Sequence, residues 1–388
     1  MSLRTRDLLG GRAAIAGIGA TEFSKDSGRS ELRLAVEAVH AALDDAGLTP
    51  ADVDGLVTFT MDSSPEITVA QAAGVGELSF FSRIHYGGGA ACATVQQAAL
   101  AVAAGIAEVV VCYRAFNERS GRRFGSGVQQ REPSAEGAAL GWSLPWGLLT
   151  PASWVAMAAR RYLHVHRLTP EAFGHVAVTA RRNAANNPAA WFHGRPITLA
   201  DHAASRWIAE PLRLLDCCQE TDGGQAVVVT TAERARDLRH RPAVITAAAQ
   251  GAGRRQEGMT SFYRDDLTGL PEMDVVARQL WRTSGLRPAD IDVAVLYDHF
   301  TPFVLMQLEE FGFCKPGEAA DFVAAGALPL NTHGGQLGEA YLHGMNGIAE
   351  AVRQLRGSSV NQVPGAARVL VTAGTGVPTS GLILGTDA

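Results

Sequence analysis

A twelve-residue passage occurs twice in this chain, and the repetition constrains the fold more than any other feature. Ala46-Gly47-Leu48-Thr49-Pro50-Ala51-Asp52-Val53-Asp54-Gly55-Leu56-Val57 returns 238 positions later as Ser284-Gly285-Leu286-Arg287-Pro288-Ala289-Asp290-Ile291-Asp292-Val293-Ala294-Val295. In both copies a helix-period stretch, Glu31 to Ala46 or Met273 to Thr283, stops at glycine, a Pro-Ala-Asp turn follows, and an apolar strand begins. The flanking text repeats in the same order. The strand Ala13 to Gly19 has a counterpart in Ala243 to Ala247. Tyr86-Gly87-Gly88-Gly89 opens a helix to Ala104 and a strand at Val109 to Val111. Leu337-Gly338-Glu339-Ala340-Tyr341 opens a helix to Leu355 and a strand at Val369 to Val371. One match is a common helix-to-strand connection, but an ordered series is a duplication, with a period too long for a solenoid. The prediction is α/β: two βαβ-rich halves packed about a pseudo-twofold axis.

Between the first half's core and its last strand lies an insertion. The expected division is 1–115 for the N-terminal core, 116–215 for the insertion, 216–240 for the end of that half and 241–388 for the second half. The insertion holds five of the six tryptophans, Trp142, Trp146, Trp154, Trp191 and Trp207. It reads either as a cap over a substrate pocket or as a satellite core.

Several function classes drop out. With 47% hydrophobic and 19% charged residues the chain can bury a large core, and a net charge of −5 without a basic block lacks the footprint of a nucleic-acid binder. The five cysteines are an odd set with no CxxC pair, so neither a disulfide framework nor a bound metal is expected; Cys217-Cys218 reads as structural. No apolar run approaches a membrane span or a signal h-region, and a cytoplasmic location is expected. Gly17-Ile18-Gly19 lacks the third glycine of a dinucleotide fingerprint. Lysine occurs only at Lys25 and Lys315, both read as surface or loop positions, so imine chemistry is not expected.

Polar and ionisable residues converge in two C-terminal segments. Tyr297-Asp298-His299-Phe300 follows a strand at Asp292 to Leu296, the end of an open α/β sheet where ligands bind. Asn331-Thr332-His333-Gly334-Gly335 through Tyr341, His343 and Gly347 is a glycine-rich loop entering a helix, whose free N–H groups can hold an oxyanion.

On these residues the chain resembles the thiolase superfamily, in its sterol-carrier-protein, lipid-transfer branch. The resemblance covers nearly the whole length and implies two duplicated βαβαβαββ halves in an αβαβα sandwich with an inserted loop domain. It also shows what has been lost. Counted along the family pattern, the nucleophilic cysteine falls on Gly88, the active-site histidine of the second-half loop on Tyr341, and the His-Asp-Cys-Phe segment on Tyr297-Asp298-His299-Phe300. Cys92 lies one helical turn beyond Gly88 and reads as packed, and Val369 to Ala373 has no second cysteine. Acyl transfer through a thiolate is therefore not expected.

The pattern is most similar to steroid side-chain-cleaving aldolases, which split a β-hydroxyacyl-CoA steroid into a 17-ketosteroid and propionyl-CoA. Retro-aldol cleavage needs a base for the alcohol, donors for the enolate oxygen and an acid for the carbon, but no acyl-enzyme. The resemblance implies that Tyr297 and Tyr341 share the acid and base roles, positioned or tuned by Asp298, His299, His333 and His343. Donors would come from the Gly87 to Gly89 loop, chiefly Gly88 and Gly89, or from Gly334 and Gly335. It further implies a CoA thioester substrate with no bound cofactor, a homodimer, and a small OB-fold, zinc-ribbon partner subunit that would carry any zinc. Two other readings stand beside it: a degenerate acyltransferase using Cys92, and a non-catalytic lipid or acyl-CoA-binding subunit.

Overall fold

A computed structural model describes residues 9–85, 87–121, 123, 135–141, 143–256, 258, 262 and 264–386. Tyr86 and Trp142, both named above, lie outside the described residues.

The duplicated passage shows why its residues recur. Gly47 and Gly285 both adopt the left-handed conformation that ends their helices, Glu31–Ala46 and Pro271–Ser284. In each Pro-Ala-Asp turn the aspartate accepts the backbone N–H that opens it, Asp52 from Thr49 at 2.9 Å and Asp290 from Arg287 at 2.8 Å. The next aspartate ties its strand to the parallel neighbour. Asp54 accepts from the N–H groups of Glu108 and Val109, and Asp292 from those of Ala367 and Arg368. Each coinciding polar residue thus closes a backbone gap at the same place in its half.

The strands are β1 (Ala13–Ala20), β2 (Gly55–Phe59), β3 (Phe80–Ile84), β4 (Val109–Asn117), β5 (Trp207–Ala209), β6 (Leu212–Arg213), β7 (Asp222–Thr231), β8 (Ala243–Gly251), β9 (Val293–Val295), β10 (Arg368–Ala373) and β11 (Thr379–Gly385). Nine form one hydrogen-bonded sheet in the order β3-β2-β4-β7-β1-β8-β11-β10-β9, while β5 and β6 pair separately. The order is palindromic about the antiparallel β1·β8 junction: β2, β4, β7 and β1 answer to β9, β10, β11 and β8. Even β3 has a trace of a counterpart in the parallel bridge between Ala294 and Leu330.

Side-chain alternation turns this sheet into layers. In β4, Val109, Val111 and Tyr113 face helix Glu31–Ala46, whereas Val110 and Cys112 face helix Ala91–Ala103. In β10, Val369 and Val371 face inward to the same central layer, and Leu370 faces out toward helices Pro271–Ser284 and Thr301–Glu310. Helices Ala91–Ala103 and Met345–Arg356 therefore lie between the two half-sheets, giving the αβαβα order of a thiolase fold. Both faces of each half-sheet are buried, which is why β4, β7 and β10 read as continuous apolar runs.

Among the described residues the insertion builds no core of its own. Its helices Pro151–His166 and Glu171–Asn186 join the cluster of the second half, where Val155, Tyr162 and Phe173 pack with Phe303, Leu305 and Leu337. Trp146 remains 82% exposed. Helix Glu171–Asn186 is laid directly on the glycine-rich loop: Asn183 donates to the carbonyls of Leu330 and Asn331, and Asn187 to that of His333. A Cβ at Gly334 or Gly338 would press to 2.6 Å from Ala184, so small residues on both sides permit the approach.

Candidate active site

Tyr297 emerges from the carboxyl end of β9 with its backbone clamped from both sides. Its N–H donates to Thr372 Oγ1 at 2.9 Å, its carbonyl accepts from Gln307 Nε2 at 2.8 Å, and the Thr372 hydroxyl donates in turn to Gln307 Oε1. The phenol so held crosses to the start of helix Ala91–Ala103. A Cβ built at Gly88 would fall within bonding distance of the Tyr297 oxygen. Tyr341 comes from the other side, anchored through its N–H and carbonyl to the hydroxyl of Thr221. The two phenol oxygens stand 3.4 Å apart in a buried site.

The loop presents Tyr341 because the helix starts later than the sequence indicates. A four-residue helix, Gly335–Gly338, ends before it, and Met345–Arg356 begins only after it. His343 and Gly344 have consecutive positive φ angles of 52° and 87°, which break any helix through them. The backbone energy spent on His343 puts its ring in the site. Arg114, wholly buried on β4, ion-pairs with Asp62 at 2.9 Å and donates from Nε to His343 Nδ1 at 3.1 Å. With Nδ1 accepting, neutral His343 carries its proton on Nε2. Phe116 stacks on that ring at 5.1 Å and meets Tyr341 edge-on.

Burial fixes the charge states. It raises the Tyr297 phenol far above its ordinary value, and with help from Tyr297, Cys218 and Glu118 it raises Tyr341 well above its own. Both phenols are proton donors in the unliganded protein. Burial, then the Arg114 charge, holds His343 well below the usual histidine range, and burial alone pushes His299 down to about 3. Both imidazoles are neutral near pH 7. The unfolded chain protonates these rings near pH 6.5, whereas the native state resists, so stability is complete above that value and is lost as the pH falls toward 3. Chemical denaturation from pH 7 to 4 is expected to show this acid slope, reduced in His299→Gln.

The remaining expected residues divide. His299 leans on the Tyr297 ring at 4.8 Å, with Thr375 Oγ1 at 3.5 Å. Asp298 turns away from the phenols and accepts the Gln336 N–H at 2.7 Å, filling the space where Gly335 would carry a Cβ. It holds the glycine turn in place. His333 lies behind the loop, its Nε2 3.9 Å from Glu339 in a buried network with Arg353 and Glu350. The Gly334 N–H donates to the Asn331 carbonyl at 2.8 Å, so this expected oxyanion donor is already engaged. Gly89 lets helix Ala91–Ala103 start against Pro378, and its carbonyl accepts from Ser380.

Other residues in and around the site are less conspicuous in the sequence. Arg114 and Phe116 alternate along one side of the carboxyl end of β4, and Glu118 opens the turn just past it. The available signal was an arginine inside an otherwise apolar strand. Lys25 is half-buried rather than a plain surface residue: its ammonium donates to the Glu220 carbonyl at 2.5 Å and to Gln219 Oε1 at 3.2 Å, and burial pushes it down to about 8. Cys218 packs with Tyr297, Tyr341, Phe116 and Leu342. Among the described residues no three His, Cys, Asp or Glu are grouped to hold a metal ion.

Comparison with known proteins follows this geometry. Residues 253–386 match the family described as thiolase C-terminal domain-like. The chain is 68% identical to the steroid side-chain-cleaving aldolase of Thermomonospora curvata, over 98% of this chain and 99% of that one. The chain belongs to the steroid side-chain-cleaving aldolases of the thiolase superfamily. It is also 68% identical to the 17-hydroxy-3-oxo-4-pregnene-20-carboxyl-CoA lyase of Mycobacterium tuberculosis, over 97% of this chain and all of that one. The solved Ltp2-ChsH2(DUF35) aldolase superposes with a TM-score of 0.94 at 67% identity, covering 97% of this chain and 98% of its own.

Within that family the Gly88 contact takes on chemical meaning. The position that the superfamily pattern assigns to a nucleophilic thiol has no side chain here, and a phenol from the other half of the duplication fills its space. Cys92 is no substitute. It is completely buried, its thiol directed at the Val371 carbonyl at 3.7 Å, and burial raises it well beyond the range in which a thiolate forms.

Proposed function

We propose that this chain is a carbon–carbon lyase that performs the retro-aldol cleavage of a 17-hydroxy C22 steroid acyl-CoA to a 17-ketosteroid and propionyl-CoA. The observation carrying this reading is the phenol pair itself: Tyr297 takes up the side-chain space at Gly88 and faces Tyr341 across 3.4 Å. The names of the two 68%-identical relatives supply the substrate class.

The chemistry needs one proton removed and one delivered. A base takes the proton from the C17 hydroxyl, the C17–C20 bond breaks as the ketone forms, and its electron pair enters the thioester enolate, which an acid protonates at C20. Two phenols that hold one proton between them satisfy both demands. The tyrosinate accepts the alcohol proton while the neutral tyrosine gives its own to carbon. The products leave with the charge on the opposite ring, and transfer across the 3.4 Å contact resets the pair. Such a dyad titrates as a unit. The enolate oxygen is held by N–H groups at Gly88 and Gly89, at the positive end of helix Ala91–Ala103, and by the Nε2–H of His343. Asp298 positions the glycine turn, and Arg114 fixes the His343 tautomer.

The same proposal divides the chain into a scaffold, 1–115, 216–240 and 241–388, and a cover, 116–215, whose helices lie on the catalytic loop. It takes the protein to be a cytoplasmic homodimer with a small OB-fold, zinc-ribbon partner. The superposed Ltp2-ChsH2(DUF35) aldolase supports such a partner. The test is to incubate the purified chain, alone and with a DUF35-type partner, with the 17-hydroxy C22 steroid acyl-CoA. Formation of both products is expected. Tight acyl-CoA binding without cleavage under either condition would instead favour a binding subunit.

A further inference from the structure

The dyad account leaves a proton without a destination. Both phenols are neutral in the resting protein, so one must lose a proton before it can accept one from substrate. Neither imidazole beside them is basic enough, and Asp298 is engaged by the turn it holds. The proton needs a buried acceptor close to Tyr341.

Such a group lies two residues beyond Phe116. Glu118 is only 3% exposed, and its Oε2 has no hydrogen-bond partner among the described residues. An unpartnered buried carboxylate oxygen is costly and uncommon. Glu118 opens the turn just past β4, two residues beyond Phe116, which meets Tyr341 edge-on, and its charge acts on both phenols. Thr221 links it to the site: its backbone lies close enough to the Glu118 carboxylate to oppose its protonation, and its hydroxyl holds the Tyr341 backbone. Two further buried side chains carry unpartnered atoms, Gln219 through Nε2 and Gln336 through both amide atoms. They are linked by the Gln219 N–H to the Gln336 carbonyl, and Lys25 binds Gln219. Glu118, Gln219 and Gln336 are each at least nine-tenths buried and none is fully satisfied.

We propose that Glu118 is the proton acceptor of the tyrosine dyad, acting on substrate only through Tyr341. The Tyr341 Oη–H bond breaks, the proton passes to the Glu118 carboxylate, and the charge moves from carboxylate to phenolate with no net change. The groups facing Glu118 are tuned for such an exchange. Burial and the Glu220 charge raise its proton affinity well above that of an ordinary carboxylate, and Arg114 and Lys25 oppose them. Arg119 faces Lys25, and Cys218, Tyr297 and Tyr341 close the cluster. A carboxyl group moved toward neutrality is the better match for a phenol.

This inference rests on the aldolase reading, so its test has one arm with turnover and one without. In the first, wild type, Glu118→Gln and Glu118→Asp are compared on the steroid acyl-CoA between pH 5 and 9. In wild type, kcat should fall as the pH drops and Glu118 becomes protonated, giving an acid limb centred above the ordinary carboxylate range. Glu118→Gln should lose about 10²–10⁴-fold in kcat with little change in KM and no such limb, and Glu118→Asp should restore part of both. If Glu118 is merely a neighbouring charge, its neutralisation lowers the phenols' proton affinity and kcat holds or rises. That result, or an unchanged limb, overturns the proposal. In the second arm, ultraviolet difference titration of the substrate-free protein follows tyrosinate formation. Glu118→Gln should bring it to lower pH, and coincident curves would show that the carboxylate and the dyad are not coupled, whatever reaction the wild type performs.

Discussion

Tyr341→Phe is expected to lower kcat by about 10²–10⁴-fold while KM for the acyl-CoA changes far less. The substitution removes one oxygen from a pair 3.4 Å apart and leaves a ring of nearly the same volume edge-on to Phe116. The fold has little reason to change, because the Tyr341 backbone is held by Thr221 independently of the phenol. Tyr297→Phe should fall equally far, since either loss leaves a lone phenol that cannot both accept and deliver a proton. The double variant should be scarcely worse than either single one, as expected of residues that act as a unit. Steady-state kinetics on the three variants, with thermal melting to confirm folding, checks this. Additive losses would mean that the two hydroxyls act on separate steps.

Gly88→Cys, which writes the superfamily's nucleophile back at its expected position, is expected to abolish cleavage without creating an acyltransferase. Its Cβ alone would collide with the Tyr297 oxygen and ring, and the Tyr297 backbone, clamped by Thr372 and Gln307, leaves the ring little freedom to withdraw. Overpacking of this kind costs about 1–3 kcal/mol, and the displaced phenol no longer meets Tyr341. Activity should therefore drop at least as far as in Tyr297→Phe, with a lowered melting temperature. Intact-mass analysis after exposure to acyl-CoA should find no acyl-enzyme. A stable Gly88→Cys protein that forms a thioester adduct would show that the site still carries thiolase geometry.

Tyr341 could be found from sequence because the resemblance to the thiolase pattern supplies a ruler. Counted along that pattern, from Gly105 and along Asn331 to Gly347, the active-site positions fall on Gly88 and Tyr341. Tyr297 was visible at the end of a strand defined by the second copy of the repeat. Their partners were hidden because each comes from a remote segment with no pattern of its own. Arg114 meets His343 across 229 residues of sequence, and Lys25 reaches Gln219 across 194. Asp298 and His333 misled in the opposite sense: next to reactive positions in sequence, they serve the loop that presents them. A glycine-rich turn pressed against helix Glu171–Asn186 needs a buried acceptor for its N–H groups, and Asp298 fills that need. The late start of helix Met345–Arg356 was equally hard to foresee, because His343 at positive φ follows from its bond to Arg114, a tertiary contact, rather than from any local preference.

The central claim is cleavage by proton transfer between tyrosines, with no thiol ester to the enzyme and no acceptor thiol. Turnover of the 17-hydroxy steroid acyl-CoA in deuterium oxide without added CoA tests it most directly, with propionyl-CoA and the 17-ketosteroid quantified by mass spectrometry. The account predicts equimolar products, one deuterium at the α-carbon of propionyl-CoA, and a rate unaffected by free CoA. Products that appear only when free CoA is supplied, or propionyl-CoA released without deuterium, would contradict it.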